Sequence, residues 1–297
     1  MAKGNNGKKI GRLGKLLNYS KNSYLERTSR PFYAAVFLMP FIVIYELGTI
    51  FINTDVLGRS QRVVSFVWLQ DFLQYLGFAS KFAWVAPPLV VLVILLSQQI
   101  VSRKGWQIIP LDLWKMAGES ILLALPLLLL NMVLASPPAQ QASYGSVNNP
   151  DAVVLAQANP SEGISNLSAN YNQNPKPGLL ASIVTGIGAG IYEELVFRLV
   201  LISILMIILF DISGFSHTNA LLISVIISAA LFSAHHHIDF LTGRQTEVFE
   251  LTRFMFRTVA GVYFAVIFAA RGFGITAGTH AFYDIVAVVI NASMGKM

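Results

Sequence analysis

Seven long apolar segments constrain this chain more than any other feature of its sequence. They cover approximately residues 32–53, 78–97, 114–135, 178–211, 217–237, 252–271 and 275–294. A transmembrane helix needs about 20 predominantly apolar residues to cross a hydrocarbon core of about 30 Å. Only 12% of the 297 residues are charged, whereas soluble domains carry roughly 25%. The sequence therefore predicts an all-α, polytopic transmembrane helical bundle of about seven spans.

Two of these segments contain residues that favour a local distortion. The segment 178–211 would be roughly 50 Å long as a helix, so it must tilt, protrude or break. Gly186, Gly188 and Gly190 lie inside it and predict either a break or close helix packing. Pro87 and Pro88 lie inside the segment 78–97 and predict a kink there.

The basic residues are concentrated in a tail formed by residues 1–30. This tail has eight lysines and arginines and one glutamate, which gives a charge of 8 − 1 = +7. Such a tail is typical of a cytoplasmic juxtamembrane segment, and an arm that binds anionic lipid or nucleic acid is the less favoured interpretation. Arg103 and Lys104 indicate the cytoplasmic side for the loop after the second span. We therefore expect a multi-pass protein of a cell (inner) membrane with a cytoplasmic N-terminus, in contact with the bilayer and not with nucleic acid.

The remaining composition divides the chain further. Residues 31–135 are expected to form the N-terminal transmembrane helices. Residues 136–177 are rich in Pro, Asn, Gln, Ser and Ala and predict a polar, partly disordered extracytoplasmic loop. Residues 178–297 contain the last four apolar segments. The chain has no cysteine, which excludes disulfides, thiolate metal sites and cysteine nucleophiles.

The sequence Glu193-Glu194-Leu-Val-Phe-Arg198 is the most informative motif, because ionisable groups inside membrane spans are costly and usually functional. Glu194 and Arg198 are four residues apart and can form an ion pair on one helix face. Glu193 points about 100° away from that face. A buried carboxylate of this kind suits a general base. A structural ion pair with an uninvolved second glutamate is the alternative.

Two further groups of polar residues occur in the later spans. Three consecutive histidines, His235, His236 and His237, end the segment 217–237, and only one or two of them can face a given site. His280 and Asp284 are four residues apart in the last segment, so the carboxylate could orient the imidazole. Three helices can bring these groups and the glutamates around one cavity.

These motifs, in this order and with this spacing, resemble the CPBP family of intramembrane proteases, which includes the type II CAAX prenyl proteases and bacteriocin-processing enzymes. The resemblance covers residues 178–294 and rests on three motifs. They are Glu193-Glu194-x-x-x-Arg198, Phe232-x-x-x-His236 and His280-x-x-x-Asp284. The resemblance implies a CPBP-like catalytic core in residues 178–297 and an intramembrane endopeptidase that acts on a peptide or protein substrate near the membrane.

The resemblance also implies a role for each motif. Glu193 would activate water, His236 would assist it, and His280 with Asp284 would stabilise the oxyanion. An ionised Asp284 cannot donate a hydrogen bond, so it would have to be protonated or act by orienting His280. His235 and His237 remain alternatives to His236. The enzyme would be glutamate-dependent or a metallo-type hydrolase.

The cofactor requirement follows from the available ligands. One glutamate and two histidines could hold a divalent metal such as zinc with an open coordination position. The chain has no His-Glu-x-x-His helix, however. We therefore favour an enzyme without a tightly bound metal ion, and an enzyme that uses a divalent metal such as zinc is the alternative.

The depth of the histidines sets a structural requirement. Simple alternation of spans places His236 near the outer face and His280 near the inner face, yet one cavity needs both at one depth. This predicts a break in 178–211 or a later segment that does not fully span.

Two other classes of function fit the same residues. A non-catalytic scaffold, immunity or partner-binding protein would use the buried charges for structure. A small transporter would use them as a proton relay, although the internal repeat that is usual in transporters is absent from the sequence.

Overall fold

The structure, a computed structural model, describes residues 20, 22–55, 63–78, 85–134, 178–241, 243 and 245–294. Within these ranges the chain is helical, with no strand and a single isolated bridge between Ile238 and Gln245. The predicted all-α polytopic bundle is confirmed. The predicted polar loop 136–177 and most of the basic tail lie outside the described residues.

Nine helices form the described part of the chain. They are α1 (Tyr24–Thr28), α2 (Pro31–Asp55), α3 (Val64–Tyr75), α4 (Ala86–Ser102), α5 (Pro110–Leu134), α6 (Leu179–Ile212), α7 (His217–Ala234), α8 (Leu251–Arg271) and α9 (Phe273–Ser293).

Six of these helices, α2 and α5 to α9, are long and apolar enough to cross a membrane. Helix α4 is apolar as well but has 17 residues, so the expected number of about seven spans is roughly matched. The predicted kink in the second span is wrong. Pro87 and Pro88 are the second and third residues of α4. Backbone N–H groups in the first turn have no partner inside the helix, so proline costs little there.

Helix α6 is continuous over 34 residues, although its geometry changes along its length. It is α-helical over Leu179–Glu194 and π-helical over Leu195–Leu201 and Ile207–Ile212. π-helical segments are rare and often occur at functional sites. The first one begins directly after the two glutamates, so the predicted break is replaced by a local widening of the helix.

Helices α6 and α9 run antiparallel and pack closely through glycines. A Cβ atom on Gly186 would lie 2.7 Å from the Cβ of Asp284, and one on Gly190 would lie 2.5 Å from the backbone nitrogen of Ala281. Such distances are too short for a real side chain, so only glycine permits this approach. The glycines of 186–190 therefore serve close packing, one of the two roles predicted for them.

Helix α9 is also enclosed by helices of the N-terminal half. A Cβ atom on Gly274 would meet the Cα of Ala34 in α2 at 2.8 Å. One on Gly278 would meet Phe37 in α2 and Ser120 in α5, at 2.7 and 2.8 Å. Because α2 and α5 pack against the same helix as α6, the two halves of the chain form one bundle around α9.

The described end of the basic tail, residues 22–30, and the Arg103–Lys104 loop lie at the same end of the bundle. Arg30 donates a hydrogen bond to the carbonyl of Gly105, and Lys104 lies 3.6 Å from Glu26. The end of α8 is also there, since Arg271 donates a hydrogen bond of 3.0 Å to the carbonyl of Leu25 in α1. Arg271 also binds Glu119 of α5 through two hydrogen bonds of 2.5 and 2.8 Å. We refer to this end as the basic end.

Candidate active site

The two glutamates of the Glu-Glu-x-x-x-Arg motif lie at the end of the α-helical part of α6, and both are buried. Glu194 is completely inaccessible and Glu193 is 6% exposed. Carboxylates cost several kcal/mol to bury unless they are paired or hydrogen-bonded. The partners of each glutamate therefore indicate what it does.

Glu194 forms a buried ion pair with Arg198. The Nε atom of Arg198 lies 3.0 Å from Oε2 of Glu194, and both side chains are fully buried. The guanidinium lies 4.1 Å from the centre of the Phe232 ring and donates a hydrogen bond to the carbonyl of Gly261. The predicted ion pair is therefore present, and a cation–π contact supports it from the neighbouring helix α7.

His280 joins the two glutamates. Its Nδ1 atom is 2.7 Å from Oε1 of Glu194, and the Nδ1–H group can donate to that carboxylate. Its Nε2 atom lies 3.5 Å from Oδ2 of Asp284 and 4.0 Å from Oε2 of Glu193. The ring stacks on Phe264 of α8, with ring centres 4.5 Å apart. Glu194 thus fixes His280 as well as Arg198, a second role that the motif spacing did not predict.

His235 and His236 reach Glu193 from the end of α7. The Nε2 atom of His235 lies 3.5 Å from Oε1 of Glu193. Both rings direct Nδ1 at the carbonyl of Phe232, His236 at 3.0 Å. When Nδ1 donates to that carbonyl, the neutral ring keeps a lone pair on Nε2.

His237 lies away from the glutamates. Its ring packs against Phe249 and Phe254, at centre distances of 5.2 and 6.1 Å. It is buried, and neither ring nitrogen has a hydrogen-bond partner among the described residues. Of the three histidines, His235 and His236 are therefore the ones brought to the candidate site.

The common depth of the histidines has a simple geometric origin. Helix α7 ends at Ala234 beside the glutamates, and His235 is buried inside the bundle. His280 lies within α9, seven residues after Phe273, or roughly 10 Å along the helix. A helix that ends inside the bundle and a residue within its neighbour can meet at one level, so no break in α6 is needed.

Three side chains of the site could hold a metal ion. One ligand atom from each of Glu193, His235 and His236 lies within 4.8 Å of the other two. One carboxylate oxygen and two imidazole nitrogens are the ligands of many catalytic zinc sites, which keep a fourth position open. The donor set therefore fits a divalent metal, whereas His280 is engaged by Glu194.

Phe264 is a residue of the candidate site that the sequence motifs do not indicate. It stacks on His280 and lies 5.5 Å from the guanidinium of Arg198. It is one of twenty phenylalanines in the chain and belongs to no motif. Its position depends on how α8 packs against α6 and α9, which local sequence patterns do not record.

Comparison with known protein families adds independent information. Residues 175–286 match the family model described as type II CAAX prenyl endopeptidase Rce1-like. The resemblance to the CPBP family is confirmed. The match covers α6, α7, α8 and the first two thirds of α9, and it contains all six predicted site residues. Comparisons with curated proteins and with solved structures gave no match.

The CPBP match supports two general statements. The family is one of membrane-embedded endopeptidases, which supports an intramembrane peptidase in general. Together with the six apolar helices, it also supports a multi-pass membrane protein. Helices α1 to α5 lie outside the matched segment.

Proposed function

We propose that this chain is an intramembrane endopeptidase that hydrolyses a peptide bond near the membrane, with Glu193 as the base that activates water. The observation that carries this proposal is the environment of Glu193. It is buried and lies 3.5 Å from His235 and 4.0 Å from His280, while Arg198 is paired with Glu194. Glu193 is thus the carboxylate whose oxygens are left to act on water.

The chemistry follows from these positions. Glu193 takes a proton from water as the water oxygen attacks the carbonyl carbon of the substrate. The same proton can then pass to the leaving nitrogen as the C–N bond breaks, which gives a free carboxylate and a free amine. His236, or the adjacent His235, assists by accepting a hydrogen bond from the water through the lone pair on Nε2.

The oxyanion that forms during the attack needs a hydrogen-bond donor. The Nδ1–H group of His280 donates a hydrogen bond to Glu194. The Nε2 atom of the same ring therefore faces the region between Glu193 and Asp284. A doubly protonated ring would donate from Nε2 to the oxyanion. Asp284 acts in this scheme by orienting His280.

Metal dependence is a separate part of the proposal. We propose a glutamate-dependent hydrolase that needs no tightly bound metal. A zinc ion held by Glu193, His235 and His236 would supply Lewis-acid polarisation of the carbonyl, and this is the metallo-type alternative.

The arrangement of the chain in the membrane is proposed on physical grounds. The described end of the tail, residues 22–30, and the Arg103–Lys104 loop share the basic end of the bundle, which the positive-inside rule assigns to the cytoplasm. We therefore propose a prokaryotic cell membrane protein with a cytoplasmic N-terminus and the loop 136–177 outside. The substrate is a membrane-associated peptide or protein, and residues 178–297 form the catalytic core.

The experiment compares membrane peptides from cells that contain the wild-type protein or the Glu193→Ala variant at equal abundance. We expect peptides that only the wild type releases, because the variant lacks the base. Identical peptide profiles would refute the peptidase. If Glu193→Ala instead weakens binding to a partner protein, the non-catalytic scaffold is favoured.

A further inference from the structure

The short helix α3 brings the N-terminal half of the chain into contact with the candidate site. It lies outside the segment that matches the CPBP family, so the family motifs give no indication of its role. Phe66 of α3 packs edge-on against Tyr192, the residue before Glu193, with ring centres 4.9 Å apart. Helix α3 therefore touches the turn of α6 that carries the proposed base.

Trp68, two residues after Phe66, touches the histidine side of the same site. Its indole ring meets the His235 ring edge-on at 5.8 Å. Its Nε1–H group donates a hydrogen bond of 2.9 Å to Asp239, and the ring stacks on Phe240 at 5.4 Å. Asp239 and Phe240 belong to the connection that follows the histidines, so Trp68 holds this connection against α3.

The contacts of His235 show what Trp68 contributes. The ring is directed at the carbonyl of Phe232 on one side and packs against Phe197 at 4.8 Å on another. Both of these partners lie in the C-terminal half. Trp68 is the aromatic contact with His235 that the N-terminal half supplies in the described residues. The separation of 3.5 Å between His235 and Glu193 is longer than a strong hydrogen bond, so a small rotation of the ring changes it substantially.

We propose that Trp68 is a positioning residue that sets the orientation of His235 toward Glu193. This inference rests on the proposed function, because His235 matters for cleavage only if Glu193 activates water. Trp68 acts through its contact with His235 and through its hydrogen bond to Asp239. Residues that orient metal-bound histidines commonly change activity by about 10–100-fold when they are replaced, and we expect Trp68 to act at the lower end of this range.

The kinetic test separates positioning from substrate binding. With the peptide substrate found by the membrane comparison, Trp68→Ala should lower kcat by about 10-fold and leave KM within about twofold. Trp68→Phe keeps the aromatic contact and loses the hydrogen bond to Asp239, so its kcat should fall by about threefold. Trp106→Ala is the matched control, since Trp106 is also an aromatic residue, lies in the loop after α4 and packs on Phe32, and its kcat should equal that of the wild type. A higher KM with unchanged kcat, or no change at all, would overturn the inference.

A double-mutant cycle tests the link to Asp239 and remains informative if Trp68→Ala does not fold. Trp68→Phe and Asp239→Ala each remove the same hydrogen bond. If that bond orients the connection, the double variant should lose no more kcat than the more affected single variant. Strictly additive losses would show that the two residues act independently and would overturn the proposed link.

A fluorescence measurement tests the contact without any substrate. The chain has four tryptophans, so Trp68 can be left as the single emitter by changing Trp84, Trp106 and Trp114 to Phe. We expect His235→Ala to alter the emission intensity of Trp68, whereas the exposed His217→Ala should not. Unchanged emission in both variants would refute the contact itself. If Glu193→Gln retains full cleavage, the proposed function fails, and the fluorescence result still stands separately.

Discussion

Neutralising Glu194 without changing its shape should destabilise the protein strongly. Glu194→Gln keeps an oxygen that can accept the hydrogen bond from His280, so the substitution removes mainly the charge. Arg198 would then be a fully buried cation whose remaining polar partner is the carbonyl of Gly261, at 3.3 Å.

The size of the effect follows from the geometry. Nε of Arg198 lies 3.0 Å from Oε2 of Glu194, and two unit charges about 4 Å apart attract each other by about 4 kcal/mol at an effective dielectric constant of about 20. Removing one partner of a buried pair costs about 3–5 kcal/mol in known cases. We expect the free energy of unfolding to fall by this amount, which corresponds to a decrease of roughly 10 °C in melting temperature.

A second substitution provides the internal test. The double variant Glu194→Gln with Arg198→Met leaves no unpaired charge and places an apolar chain beside Phe232 and Phe264. The double variant should therefore have a higher melting temperature than Glu194→Gln, closer to the wild-type value. Thermal unfolding of the purified protein, followed by size-exclusion chromatography, measures both. An unchanged melting temperature in Glu194→Gln, or a double variant that is less stable than either single variant, would refute the reasoning.

Three other substitutions or treatments test separate parts of the structure. Gly190→Ala should lower the free energy of unfolding by about 1–3 kcal/mol, because the added Cβ would lie 2.5 Å from the backbone of α9. Gly118→Ala is the control, since a Cβ atom there would have no neighbouring atom within 4 Å and should not destabilise the protein. Glu119→Gln removes the carboxylate that binds the buried Arg271 and should lower the free energy of unfolding by about 2 kcal/mol or more. Glu250→Gln alters an exposed ion pair and should lower it by less than about 1 kcal/mol. Peptide cleavage should persist after exhaustive treatment with a chelator, and a loss of activity that zinc restores would contradict the metal-free proposal.

The sequence predicted those features of the site that depend on short spacings along a helix. Glu194 and Arg198 are four residues apart, and helix periodicity alone places them on one face. The same argument brings Asp284 close to His280, at 3.5 Å in the structure. Membrane helices were also predictable, because their apolar length must match the thickness of the bilayer.

Features that depend on packing between distant segments were not predictable. His280 binds Glu194 across 86 positions of sequence, and this bond exists because glycines let α6 and α9 approach closely. The choice among three adjacent histidines was equally open, because it depends on how the chain turns after α7. The role of Pro87 was misjudged because the prediction started the helix too early in the sequence.

The central claim is that Glu193, and not Glu194, activates the attacking water. It is tested most directly by the initial rate of peptide cleavage by purified Glu193→Gln protein, compared with wild type at equal amounts of folded protein. We expect the rate to fall by at least about 100-fold, the loss typical for a general base, while the melting temperature changes far less than in Glu194→Gln. Cleavage at the wild-type rate by Glu193→Gln would contradict the claim.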